Sequence, residues 1–95
     1  VYTTALPQPV AAATRAALRR VAGEAWRREK LGALVQRFRE AARARGLPLL
    51  ESATPIQPVV FGDSAAALEA SARLRDAGFW VGAIRPPTVP AGSAR

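Results

Sequence analysis

The chain has 95 residues, 49% hydrophobic and 22% charged, which suits one small domain or a piece of a larger one and leaves no room for two domains, a disordered tail or a disulfide scaffold. Cysteine and histidine are both absent. Disulfides, thiolate metal sites and nucleophiles that need an imidazole base are thereby removed, so neither a metal centre nor a self-sufficient hydrolase is expected. Basic residues outnumber acidic ones 14 to 7, and all of them but Lys30 are Arg. A nucleic-acid surface would need those charges gathered on one face. No apolar run approaches the ~18 residues of a membrane span and no leader pattern opens the chain, so a cytoplasmic protein is expected. Methionine is absent too, and Val1-Tyr2-Thr3-Thr4 reads as an internal stretch of a longer protein.

In chain order, Leu6-Pro7-Gln8-Pro9 is an extended lead-in, and Pro9 suits the first position of a helix, where its missing N–H has no partner to lose. An alanine-rich stretch with Leu18, Val21 and Ala25 at helical spacing follows, then a stronger stripe of Leu31, Leu34, Val35, Phe38 and Ala41/Ala42. The step from Leu18 to Leu31 puts the two stripes about 220° apart, too far for one straight helix to bury both. Two helices are therefore predicted, Pro9 to Ala22 and Ala25 to Arg45, broken at Gly23-Glu24 and stopped by Gly46 and Pro48. The second is amphipathic, with Leu31, Leu34, Val35 and Phe38 inward and Arg28, Lys30, Arg37, Arg39 and Arg43 on solvated flanks. No element with a known groove geometry is present, so the Arg excess is read as solvation.

Leu49-Leu50 can form a short strand, Ser52 to Pro55 a loop, and Ile56 to Phe61 a buried strand closed by Gly62. Asp63 or Ser64 caps a helix from Ala65 to Ala77. Gly78 can take the left-handed position after it, bringing Phe79 against Leu74 in a Schellman stop. Trp80 to Ile84 is the second strand, and Arg85 must be extended before Pro86. The expected fold is α/β: two helices, then a right-handed strand-helix-strand unit onto which a third, antiparallel strand after Arg95 can pair. In Arg85 to Gly92, three prolines and a glycine stiffen a loop carrying the hydroxyl of Thr88. Such a loop suits ligand contact; equally, Thr88 can bond to its own backbone in a rigid connector.

Tyr2-Thr3-Thr4-Ala5-Leu6-Pro7, Trp26-Arg27-Arg28-Glu29, Ile56-Gln57-Pro58-Val59 before Gly62-Asp63, and the run from Gly78 to Gly92 with Ala83-Ile84-Arg85-Pro86-Pro87-Thr88-Val89-Pro90 together resemble the α-oxoamine synthase family, in the right order across the whole chain. These are pyridoxal-phosphate enzymes of the fold type I aminotransferase class that join an amino acid to an acyl thioester with loss of carbon dioxide. The last run resembles most the member of biotin synthesis, which implies L-alanine and a pimeloyl thioester, on CoA or acyl carrier protein, as substrates. Another α-oxoamine synthase, or an Arg-rich nucleic-acid-binding module, is the alternative.

The resemblance implies that Thr3 and Thr4 reach the pyridoxal 5'-phosphate phosphate of the neighbouring subunit in a homodimer, and that Thr88 contacts substrate. Gln8 departs from the proline more usual there. It also implies that the Schiff-base Lys lies in the large domain outside this sequence, that Lys30 is no substitute, and that the Arg for the substrate carboxylate follows Arg95. Residues 1–22 would then end the large domain's interface segment and 23–95 form most of a small C-terminal domain, a piece not expected to catalyse alone, to hold a metal, or to bind nucleic acid or a membrane.

Overall fold

The computed structural model describes residues 4–95. Three helices run in order: α1 (Gln8–Gly23), α2 (Trp26–Ala44) and α3 (Ser64–Asp76). Two compact units divide the chain, Val1–Leu34 and Val35–Arg95, with the boundary inside α2. No helix among the described residues is long and apolar enough to cross a membrane.

In the first unit, α1 opens after Pro7 with Pro9 in its first turn, one residue earlier than the sequence predicts. The predicted break is present. Glu24 leaves helical geometry at φ −116°, ψ 58°, and α2 restarts with the Arg28 amide bonding to the Ala25 carbonyl at 2.9 Å. The Arg28 guanidinium turns back to donate to the Val21 carbonyl at 2.7 Å, supplying a cation and a donor to the unsatisfied end of α1. Glu24 pairs with Arg27, whose guanidinium stacks on the Trp26 ring 4.6 Å from its centroid.

The second unit is punctuated by two Schellman stops of the same form. At the end of α2 the Leu47 amide bonds to the Ala42 carbonyl at 3.0 Å and the Gly46 amide to Arg43 at 2.9 Å. At the end of α3 the Phe79 amide bonds to Leu74 at 2.8 Å and the Gly78 amide to Arg75 at 2.9 Å. Both glycines have positive φ, 70° at Gly46 and 88° at Gly78, where a Cβ would be strained. Of the two caps considered for α3, Asp63 is the one used, its Oδ2 accepting from the Ala66 amide at 2.9 Å. Ala67 and Ser71, one turn apart, form the buried edge of α3, and Ser71 Oγ donates to the Val81 carbonyl at 2.5 Å.

The expected strand-helix-strand unit is present in its helix but not in its strands. Among the described residues the flanking segments form only isolated antiparallel bridges, Leu49 with Val59 and Gly62 with Ala94. The Phe61 and Gly62 amides both donate to the Ala94 carbonyl, at 2.9 and 3.0 Å, a bulge in which two residues oppose one. Ile84 and Arg95 exchange bonds of 2.7 and 3.0 Å. Residues 94–95 thus bond to the 61–62 segment on one side and to Ile84 on the other. An isolated bridge pairs one residue with one, and no run of consecutive pairs joins the 56–61 or 80–84 segment to a neighbour among the described residues. Two burial expectations are also corrected: Ile56, expected in a buried strand, is 71% exposed, and the stripe of Leu31, Leu34 and Phe38 is exposed, with Val35 half-buried.

Candidate functional site

Thr4 is exposed in the extended lead-in, and its hydroxyl makes no hydrogen bond among the described residues. Four residues on, α1 begins without a side-chain cap and without an acidic residue in its first turn. The Ala11 amide is taken by the Pro7 carbonyl at 3.1 Å, and Pro9 has no N–H to offer. A hydroxyl donor close in sequence to the positive end of an uncapped helix, with no carboxylate there, is a donor set suited to phosphate oxygens. Thr3, the other hydroxyl expected to act there, lies outside the described residues. Lys30 is exposed on α2.

Thr88 belongs to the second unit. It is exposed, and its turn is closed by its backbone, the Thr88 amide donating to the Arg85 carbonyl at 3.0 Å. The Thr88 hydroxyl takes no part in the closure and has no partner among the described residues. The turn, whose Pro86–Pro87 peptide is cis, is braced on its far side. The Ser93 amide and hydroxyl both donate to the Pro90 carbonyl, at 3.2 and 2.6 Å. Gly62 takes φ 79°, a backbone conformation that favours glycine, and faces the loop, where an added Cβ would meet the Gly92 carbonyl oxygen at 3.4 Å. A short, proline-rich turn fixed at both ends holds out a free hydroxyl.

Arg39 is the residue whose place the sequence misjudges. Expected on a solvated flank, it is 8% exposed. Its guanidinium donates to the Leu50 carbonyl at 3.1 Å, to Gln57 Oε1 at 2.6 Å and to Glu51 Oε2 at 2.9 Å. Arg43 adds a bond to Glu51 Oε1 at 3.2 Å. The signal was available: Val35, Arg39 and Ala42 share one face of α2, and the Arg stem lies along it with its head satisfied by the 50–57 loop. This cluster is internal to the second unit and organises that loop.

The profile of the aminotransferase class I and II family matches residues 1–95, and the chain belongs to that family. Over all 95 residues it is 58% identical to the 8-amino-7-oxononanoate synthase of Saccharophagus degradans, 58% to that of Ectopseudomonas mendocina and 56% to that of Nitrosococcus oceani. It spans 24 to 25% of the length of these relatives.

Proposed function

We propose that the chain is part of a pyridoxal-phosphate-dependent acyltransferase that condenses L-alanine with a pimeloyl thioester, on CoA or acyl carrier protein, to give 8-amino-7-oxononanoate with loss of carbon dioxide in biotin synthesis. The observation that carries this reading is the 58% identity over all 95 residues to enzymes of that name. Residues 1–22 would end the large domain's interface segment and 23–95 form most of the small C-terminal domain. The 56–61 and 80–84 segments become strands on either side of α3 in the complete, cytoplasmic homodimer.

The residues present suit the cofactor. When bound, pyridoxal phosphate supplies the electron sink for chemistry at the amino-acid α-carbon. This chain's part is to hold and orient. Thr3 and Thr4 donate hydroxyls to the cofactor phosphate of the neighbouring subunit without adding a charge, and the uncapped start of α1 reinforces them. Thr88, on its braced turn, offers a hydroxyl to the bound substrate with little ordering entropy left to lose. The Schiff-base Lys is supplied by the large domain, so the isolated piece does not catalyse.

The test is an assay of the full-length protein. With L-alanine and pimeloyl-CoA or pimeloyl-acyl carrier protein, it should release carbon dioxide and free thiol in equal amounts and form 8-amino-7-oxononanoate. Release of thiol with glycine in place of L-alanine, and none with L-alanine, would move the protein to another α-oxoamine synthase.

A further inference from the structure

On α2 and α3 the arginines keep company with carboxylates, as a solvated charged face should. Arg39 and Arg43 pair with Glu51. Arg37 and Arg73 make no ion pair among the described residues, but Glu40 follows Arg37 by one turn on α2, and Glu69 and Asp76 flank Arg73 by a turn on either side on α3. α1 is different. It holds Arg15, Arg19 and Arg20 and no carboxylate at all. All three are exposed, and none makes a hydrogen bond or ion pair among the described residues.

Arg20 has a local role, since it lies in the last turn of α1, where a cation offsets the helix dipole. Arg15 and Arg19 have no such role. They sit one turn apart, and at ~100° per residue they fall roughly 125° around the helix from the stripe of Val10, Leu18 and Val21. That stripe is exposed apolar surface, and the relatives are about four times as long as this chain, which spans 24 to 25% of them. Covering the stripe with the rest of the protein leaves Arg15 and Arg19 toward solvent. Ala12 and Ala22 are their neighbours on that side, so two guanidinium groups stand over a low floor of methyl groups.

We infer that Arg15 and Arg19 form a docking face for an acidic carrier protein that delivers the acyl thioester. This rests on the proposed function, which leaves CoA and acyl carrier protein open, and it chooses the protein. A nucleotide is held in a concave site, and a nucleic acid needs many phosphate contacts. Two forked cations one turn apart on a convex helix match carboxylates spaced by a turn on a second helix, and the alanines let that helix approach. Placement along α1 agrees. Arg15 and Arg19 lie about 10 and 16 Å from its start at Gln8, the end proposed to meet the cofactor phosphate. A carrier seated there delivers its thioester across that distance on a flexible arm.

The experiment uses the full-length enzyme with pyridoxal phosphate bound, assayed with L-alanine and either pimeloyl-acyl carrier protein or pimeloyl-CoA, at low and at physiological salt. Joint replacement Arg15→Gln and Arg19→Gln should lower kcat/KM for pimeloyl-acyl carrier protein by about tenfold at low salt, mostly through KM, and flatten its salt dependence. Pimeloyl-CoA should stay within about twofold. Lysine at both positions keeps the charge and should recover most of the loss. Arg37→Gln with Arg73→Gln removes the same charge elsewhere and should leave both substrates unchanged. A merely structural pair would shift the melting temperature and affect both thioesters alike. The inference is overturned if the Arg15 and Arg19 variant leaves pimeloyl-acyl carrier protein within about twofold of the parent, if it weakens both thioesters equally, or if the Arg37 and Arg73 variant loses as much. It is overturned too if the parent uses pimeloyl-CoA but not pimeloyl-acyl carrier protein, an outcome that keeps the proposed function. A parent that joins L-alanine to neither thioester removes the proposed function itself.

Discussion

Gln57 accepts from Arg39 through its Oε1 at 2.6 Å and donates through its Nε2 to the Thr54 carbonyl at 2.6 Å, so one amide side chain joins α2 to the turn that precedes the 58–62 segment. Arg39 also holds the Leu50 carbonyl, and Leu50 donates its amide to the Pro58 carbonyl at 3.1 Å. The loop is closed at both ends by a single guanidinium. Arg39→Met keeps the apolar stem and removes these donors, leaving acceptors in a partly desolvated site, with an expected loss of about 1–3 kcal/mol. Glu51, 85% exposed at its side chain, should matter less, and Glu51→Gln should lose under about 1 kcal/mol. Hydrogen exchange at the Leu50 and Val60 amides of the full-length enzyme separates the two, since only Arg39→Met should speed it. Equal effects would mean that the ion pair, and not the bonds to Gln57 and Leu50, holds the loop.

The glycines divide by backbone geometry. Gly78→Ala places a Cβ on a residue at φ 88° and should destabilise the full-length enzyme by about 1–2 kcal/mol. Gly32→Ala lies inside α2 with open space around the new Cβ and no positive φ. It should stabilise by about 0.5–1 kcal/mol through helix propensity. Denaturant titration of the two variants should give midpoints on opposite sides of the parent.

Helices were legible in the sequence because their signals are local. Gly23-Glu24, Gly46 and Gly78 mark real breaks and stops, and Leu74 with Phe79 predicted the hydrogen bond that ends α3. The segments 56–61 and 80–84 read as strands from their β-branched and aromatic residues, but a strand is completed by pairing with a distant segment, which local sequence does not encode, and here the pairing stops at isolated bridges. Burial is likewise set by long-range contacts. Leu31, Leu34 and Ile56 have the pattern of core residues yet are exposed, whereas Arg39 is buried because acceptors from the 50–57 loop come to it. Of the candidate site residues, Thr88 stood out from the composition of its loop, with a turn-forming role equally open, whereas Thr3 and Thr4 were singled out only through motif resemblance. That Thr88 closes its turn by its amide, leaving the hydroxyl free, is a conformational fact that composition does not carry.

Exposed apolar surface has a direct consequence for the 95-residue piece alone. Leu18, Val21, Leu31, Leu34, Phe38, Ile56, Phe79 and Trp80 all stand open to solvent, more than a monomeric domain normally leaves uncovered. The isolated chain should bind apolar dyes and self-associate as its concentration rises, without turning over L-alanine and thioester. Sedimentation showing a dye-silent monomer would mean that these side chains find cover within the piece itself. Turnover by the piece would show that the chemistry does not need the large domain.

Thr3 and Thr4 can be tested in the complete enzyme. Replacing either with Ala removes a charge-assisted hydrogen bond to phosphate, worth roughly 1.5–3 kcal/mol, and should weaken retention of pyridoxal phosphate by about ten- to a hundredfold in equilibrium dialysis. Because the donors are proposed to serve the neighbouring subunit, mixed dimers discriminate further. A subunit lacking the Schiff-base Lys but carrying both Thr residues should restore cofactor retention and activity to a Thr-deficient partner. No restoration on mixing would confine the hydroxyls to their own subunit.

Thr88 offers the sharpest separation between a structural and a substrate-contacting hydroxyl. If the hydroxyl closed the turn, Thr88→Ala would lose a few tenths to about 1 kcal/mol of stability and leave the kinetics alone. In the structure the closure belongs to the backbone amide, at 3.0 Å from the Arg85 carbonyl, and an Ala retains that amide. Thr88→Ala in the full-length enzyme should therefore melt within about a degree of the parent, as an exposed substitution that breaks no internal bond does. Its kcat/KM should fall by about ten- to a hundredfold if the hydroxyl bonds to a charged substrate group. Thr88→Ser keeps the donor and should recover most of that loss, with the remainder assigned to the missing methyl. Cofactor retention should be unchanged in both, since Thr88 is not proposed to touch phosphate. Kinetics on the two variants beside their melting curves decide the matter: a destabilised Thr88→Ala enzyme with parental kinetics would return Thr88 to the role of a turn residue.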